Sequence, residues 1–284
     1  MAIVDGFFDP TGRIGDFIYY NSKGKKLVRK APTRPINKTE GMRKSSSDFA
    51  TANAAVALLR SGFEPITDPY CDNKFDDRLK SVANNIIHSG TSGEKGQKRF
   101  EDGNLALFTQ LEFNSHTFTD TLALFKPQIT IDPATDLILN LPEMRLCDMF
   151  NPPKRAAAAV VQFLCCFFYF DQKSGRFKQP DDVLISWDKT SWETQLFKGG
   201  KLRIPMEGAE TSVLVIGWSV SFQTKEGIPI GDRKYYAGQF LAAVNIVDGQ
   251  IVPFQPPPPV ITPKGTTRYE RIPWEMNGDN DSQK

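Results

Sequence analysis

The sequence predicts an α+β protein in three parts. Residues 1–104 form a basic N-terminal region of one hairpin and two helices. Residues 105–252 form an antiparallel β-sandwich of immunoglobulin or fibronectin type III character. Residues 253–284 form a proline-rich extended tail, partly disordered. Three observations lead there. The stretch Ala156 to Asp171 reads AAAAVVQFLCCFFYFD, apolar except at Gln162 until its last residue, which suits a strand buried on both faces. Hydrophobic periodicity changes from helical to period two near residue 105. Gly 21 and Pro 20 supply turns enough for many short strands.

In chain order, Ile18-Tyr19-Tyr20, a turn at Asn21-Ser22-Lys23-Gly24 and the run Lys25 to Lys30 read as a hairpin. Pro32 and Pro35 then interrupt regular structure. Asn37 followed by Glu40 has the spacing of a capping box, with Asn37 as the cap. Phe49, Ala52, Val56 and Leu59 fall on one helical face, with Gly62 as the expected stop. Residues 63–72 read as a loop. Phe75, Leu79, Val82 and Ile86 mark a second helix over 73–89, ended by Gly90. Residues 90–104 are polar and glycine-rich and read as a flexible loop.

Strands are then expected around Ile129-Ile131, Leu137-Leu141, the central run, Val183-Trp187, Lys201-Pro205, Ser212-Phe222 and Tyr235-Val247. Leu214, Ile216, Trp218, Val220 and Phe222 should share one face. In the central strand, Phe163, Cys165 and Phe167 should face one way, and Leu164, Cys166 and Phe168 the other. Seven such strands give the sandwich; an eighth, or a barrel, is the alternative. Four prolines, Pro256 to Pro259, favour a stiff linker or a strap over a docking peptide.

The composition, 40% hydrophobic and 24% charged, is that of a globular protein. The N-terminus lacks the basic and apolar segments of a signal peptide, and the central run is too short for a membrane helix. A cytoplasmic or virion-associated protein is expected, with no membrane partner. Cys71, Cys147, Cys165 and Cys166 lack C-x-x-C spacing, and the adjacent pair would point to opposite faces of a strand. Free thiols and no structural metal follow.

Catalytic motifs are missing. The chain has no G-x-S-x-G, phosphate-binding glycine loop, dinucleotide fingerprint or H-E-x-x-H. Its two histidines, His88 and His116, stand in no spacing that suggests a Ser-His-Asp site. Asp76-Asp77 and Asp181-Asp182 read as solvated surface. No catalytic residue, metal ligand or cofactor is assigned, and the protein is expected not to be an enzyme.

Charge is uneven. Residues 23–44 hold nine basic side chains and one acid, Glu40, a net +8 against +2 for the whole chain. The remainder therefore carries −6. Tyr19, Tyr20, Lys23, Lys25, Lys26, Arg29, Lys30 and Arg34 are the candidate binding residues, for a protein partner, self-association or nucleic acid. The bland alternative is a solvated face. Phe7-Phe8 adds an aromatic arm that should dock somewhere.

Gly12-x-x-Gly15-x-x-x-Tyr19, Gly24-Lys25-x-x-Val28-Arg29-x-x-Pro32, Asn37-x-Thr39 and Phe49 resemble the opening of a bacterial family of unknown function. Similar openings occur in phage-encoded proteins of presumed structural type. Leu202-x-Ile204-Pro205, the strand with Trp218, and Tyr235-Tyr236-x-Gly238 resemble the family's late strands. Lys38 stands where the family has proline, and Met42 and Ser46 where it has Gln and Arg. The resemblance implies a fold and no activity.

The expected function is thus a non-enzymatic structural or adaptor protein in a multi-subunit assembly, such as a virion. The alternative is a nucleic-acid-binding protein using the basic hairpin 19–44. A carbohydrate or surface-ligand binder using Trp187 and Trp192 comes third.

Overall fold

A computed structural model describes residues 2–3, 11–22, 24–32, 37–68, 71–90, 93–109, 111–131, 136–170, 172–187, 190, 192–205 and 211–256. The Phe7-Phe8 arm and the tail beyond residue 256 lie outside them.

The chain opens with strands β1 (Ala2–Ile3), β2 (Gly12–Ile14), β3 (Phe17–Ser22) and β4 (Lys25–Lys30). They form a sheet of order β1-β4-β3-β2. The predicted hairpin is its centre: Tyr19 pairs with Val28 and Tyr20 with Leu27. Gly24 takes a φ of 74° at the turn, a conformation open to glycine.

Two helices follow, α1 (Glu40–Thr67) and α2 (Phe75–Ser89). The cap of α1 is Thr39 and not Asn37: its Oγ1 accepts from the Met42 amide at 3.3 Å. Gly62 does not stop α1. The helix continues five residues further, through Pro65, because that stretch is held by packing. Gly62, Phe63, Ile66 and Thr67 are buried, and the Cys166 thiol donates to the Gly62 carbonyl. Tertiary contact overrides the weak helix preference of Gly and Pro. The predicted face is right for Ala52, Val56 and Leu59, but Phe49 is exposed. α2 buries Phe75, Leu79 and Ile86 and ends at Gly90, as the pattern requires.

The remaining strands are β5 (Gln128–Ile131), β6 (Asp136–Leu141), β7 (Met144–Arg145), β8 (Ala158–Tyr169), β9 (Ser174–Lys178), β10 (Val183–Ser186), β11 (Leu196–Phe197), β12 (Gly200–Pro205), β13 (Ser212–Gln223), β14 (Ala237–Val247) and β15 (Gln250–Val252). A six-stranded antiparallel sheet runs β10-β8-β13-β14-β15, with β9 and β10 sharing the outer edge of β8. β12, β6 and β5 make a second sheet, and β11 pairs with β7. β9 and β15 were not legible in sequence: both are short edge strands without an apolar stripe.

The central run behaves as expected. Phe163, Cys165 and Phe167 of β8 enter one core with Leu214, Ile216, Trp218, Val220 and Phe222 of β13. Leu137, Leu139 and Leu141 of β6 and Ile204 of β12 close that core from the second sheet. Leu164, Cys166 and Phe168 enter another, with Leu59, Phe63 and Ile66 of α1 and Leu79 and Ile86 of α2. Gln162, the polar exception, donates to Asp182 at 3.0 Å and accepts from Ser219 at 3.3 Å. A half-buried amide with both ends bonded costs little.

The layers are therefore helices, large sheet, small sheet. The fold is mixed α+β with antiparallel sheets, and the two sheets share one core. The helices on the outer face of the larger sheet depart from an immunoglobulin-type domain, whose outer faces are polar. Their core also crosses the division expected near residue 104. The even positions of β8, which share a face with Val213 and Val215 of β13, announced a second buried face, but not that α1 and α2 would cover it.

Candidate binding surface

The register of the N-terminal sheet decides how the basic residues are grouped. Side chains directly opposite each other in a ladder share a face, and successive ones alternate. Tyr20, Lys25 and Arg29, with Arg13 opposite Ile18, fall on one face. Tyr19, Lys26 and Lys30, with Phe17 and Ile14, fall on the other. The eight candidates are thus not a single patch. Six divide evenly between two faces, and Lys23 and Arg34 lie outside the described residues.

On the first face two of the groups are in contact. The Arg29 guanidinium lies over the Tyr20 ring, 5.8 Å from its centroid, a cation–π contact that orients the charge. Arg13 donates through Nε to the Gly15 carbonyl at 3.2 Å. Lys25, Arg29 and Lys30 are exposed, and Tyr19, Tyr20 and Lys26 are half-buried. On the second face Ile14 and Phe17 are 55% and 46% exposed. β2, β3 and β4 contain no acidic residue. Among the described side chains of these strands none is buried. A thin sheet normally buries one face against something else.

The sequence also missed a polar clamp around Asp72. Asp72, which is buried, accepts from the amides of Lys74 and Ser115, both at 2.6 Å, and from Arg78 Nη1 at 2.8 Å. Arg78 Nη2 donates to the carbonyls of Glu112 and Phe113. Burial alone would raise the Asp72 carboxyl, but the Ser115 and Lys74 amides and the Arg78 guanidinium outweigh it and hold it down to about 2. Glu112 accepts from the Thr119 amide and hydroxyl, yet burial pushes its carboxyl up. The Tyr236 hydroxyl donates to the Ile66 carbonyl, and Asn114 donates to Arg233 O at 2.9 Å. These bonds fix residues 111–119 between α2 and the start of β14. Every partner is an internal amide, carbonyl or side chain, which is the pattern of a structural staple. No sequence spacing signals it, since Ser115 lies 43 residues from Asp72 and Arg233 lies 119 from Asn114.

The other candidate groups are scattered. His88 and His116 are exposed, on separate elements. Asp76 pairs with Arg60, and Asp182 with Gln162. Among the described residues no group of three or more His, Cys, Asp or Glu is placed to hold a metal. Trp187 is buried, not exposed: it stacks on Phe150 and touches Trp192 and Phe222. Trp192 is half-buried beside it. This removes the tryptophan pair as a sugar platform, because its rings belong to the core. Among the described residues no helix is long and apolar enough to cross a membrane.

Comparison with protein-family models, curated proteins and solved structures gave no match.

Proposed function

We propose that this protein is a non-enzymatic structural or adaptor subunit of a larger assembly, such as a virion, and that the N-terminal sheet docks it to a protein partner or a second copy. One observation carries the reading: among their described side chains β2, β3 and β4 bury none, yet they hold aromatic, aliphatic and basic groups on both faces. Such a sheet gains its missing apolar contact from another chain. The rest of the molecule has a core of its own on each face of the large sheet. The face-to-face packing of two sheets supports the sandwich part of the reading, by analogy with contact modules.

The division by register makes the reading testable. Lys26→Glu with Lys30→Glu alters the face of Tyr19, Phe17 and Ile14. Lys25→Glu with Arg29→Glu alters the face of Tyr20 and Arg13. If apolar contact drives docking, Phe17→Asp and the first pair should lower the native mass more than the second pair. Equal masses for all three variants and the parent would remove the sheet from the interface.

The second reading is nucleic acid, favoured by the acid-free strands and by Arg29 held over Tyr20. It requires affinity that falls steeply with salt, with a slope that drops by about one for each phosphate the sheet no longer holds.

A further inference from the structure

A cleft of about 560 Å³ lies between α1, the segment 97–101 and the turn after β8. The short side chains of Ala54 and Ala57, both exposed, leave room beside half-buried Leu58 on α1. The opposite wall is aromatic: Phe100 and Phe170 pack with centroids 4.8 Å apart. The cleft is therefore apolar on two sides and of a size that suits a small molecule.

Its mouth is cationic. Lys98, Arg99 and Lys173 line it against one carboxylate, Glu101. Lys98 is drawn toward the end of α2, where its ammonium donates to the carbonyls of His88 and Gly90 at 3.3 and 3.2 Å. Arg99 donates to Glu101 at 2.7 Å. Lys173 differs from both. It sits at a φ of 49°, in the left-handed region that side-chain-bearing residues seldom occupy, so its backbone is held in a fixed turn at the rim.

We propose that this cleft binds a small amphipathic anion, with an aliphatic or aromatic body between Ala57, Leu58 and Phe170 and its charge at Lys173. Charge complementarity selects the anion: the rim carries three cations and one acid. The apolar walls select the body, because a wholly polar anion would leave them wet. The site is separate from the N-terminal sheet and does not depend on the docking proposal.

The test uses the full chain with 1-anilinonaphthalene-8-sulfonate as probe and decanoate as competitor. The expected result is saturable one-site fluorescence that decanoate displaces. Ala57→Trp fills the cleft from an exposed helical position; it should abolish the signal while leaving the thermal midpoint unchanged. Lys173→Ala should weaken decanoate by about two- to fivefold, as for an exposed charge pair, and leave uncharged decanol unaffected. Absence of saturable binding, or a signal that survives Ala57→Trp, overturns the site. Equal weakening of decanol and decanoate by Lys173→Ala overturns the anion preference.

Discussion

A methyl group on Gly217 would stand 2.8 Å from Cε1 of Phe63, and 3.1 Å from Cδ1 of Ile66. α1 thus lies against β13 at a separation that leaves no room for a β-carbon. The pairing of β13 with β14 shifts register at the same place, between Ile216 and Gly217. Gly217→Ala should destabilise the protein by about 1–3 kcal/mol through overpacking. Adding Phe63→Leu should return part of that loss, since the two sites are in contact and couple. Urea midpoints of the two single variants and the double decide it; strictly additive losses would mean that α1 does not press on Gly217.

The two faces of β8 close two different cores, so either one should be costly to open. Phe163 points to the second sheet and Phe168 to the helices, at 1% and 0% exposure. Truncating either to alanine should cost about 3–5 kcal/mol. A cost confined to Phe163→Ala would show that the helices add little to the fold.

Much of this was legible because β8 and β13 are long and strongly patterned. Period two in Leu214 to Phe222, and apolar residues at both parities of the central run, required a sheet covered twice. What covers it was not legible. Gly62 and Pro65 look like a helix end until Cys166 and the sheet are set against them. Asn37 has the capping-box spacing, but the helix begins at Glu40 and Thr39 caps it. The basic hairpin was visible as charge, but its division into two faces depends on a register that composition does not carry. The Asp72 clamp joins parts of the chain far apart in sequence and had no local signature.

Asp72 gives stability a defined acid dependence. Its folded carboxyl is held down to about 2, below the ordinary value of about 3.9. The native state therefore favours the charged form. That contribution is fully present above the ordinary value and is lost as pH falls toward 2. Asp72→Asn should cost about 3 kcal/mol at pH 7, because Arg78 loses its buried counter-charge. Its stability should also decline less than the parent's between pH 4 and 2. Parallel curves for the two proteins would show that the carboxylate is not the source.

The thiols should divide into two classes. Burial pushes Cys165 up to about 12, and raises Cys166 as well, with Cys165 adding a smaller effect. Cys71 and Cys147 are half-buried and unbridged. Iodoacetamide at pH 8 should label Cys147 first and Cys71 more slowly, and leave Cys165 and Cys166 unmodified until the protein is denatured. Early labelling of Cys166 would mean that α1 lifts from the sheet in the native state.

The claim that the N-terminal sheet is a docking element is tested most directly by native mass. Light scattering on the purified chain, with and without duplex DNA, should give a particle several times the 31.8 kDa chain, unaffected by the DNA. The triple variant Lys25→Glu, Lys26→Glu, Arg29→Glu reverses charges on both faces and should give the mass of a single chain. A parent that stays monomeric with and without DNA would contradict docking to a second copy, and a triple variant that assembles as the parent does would contradict the account.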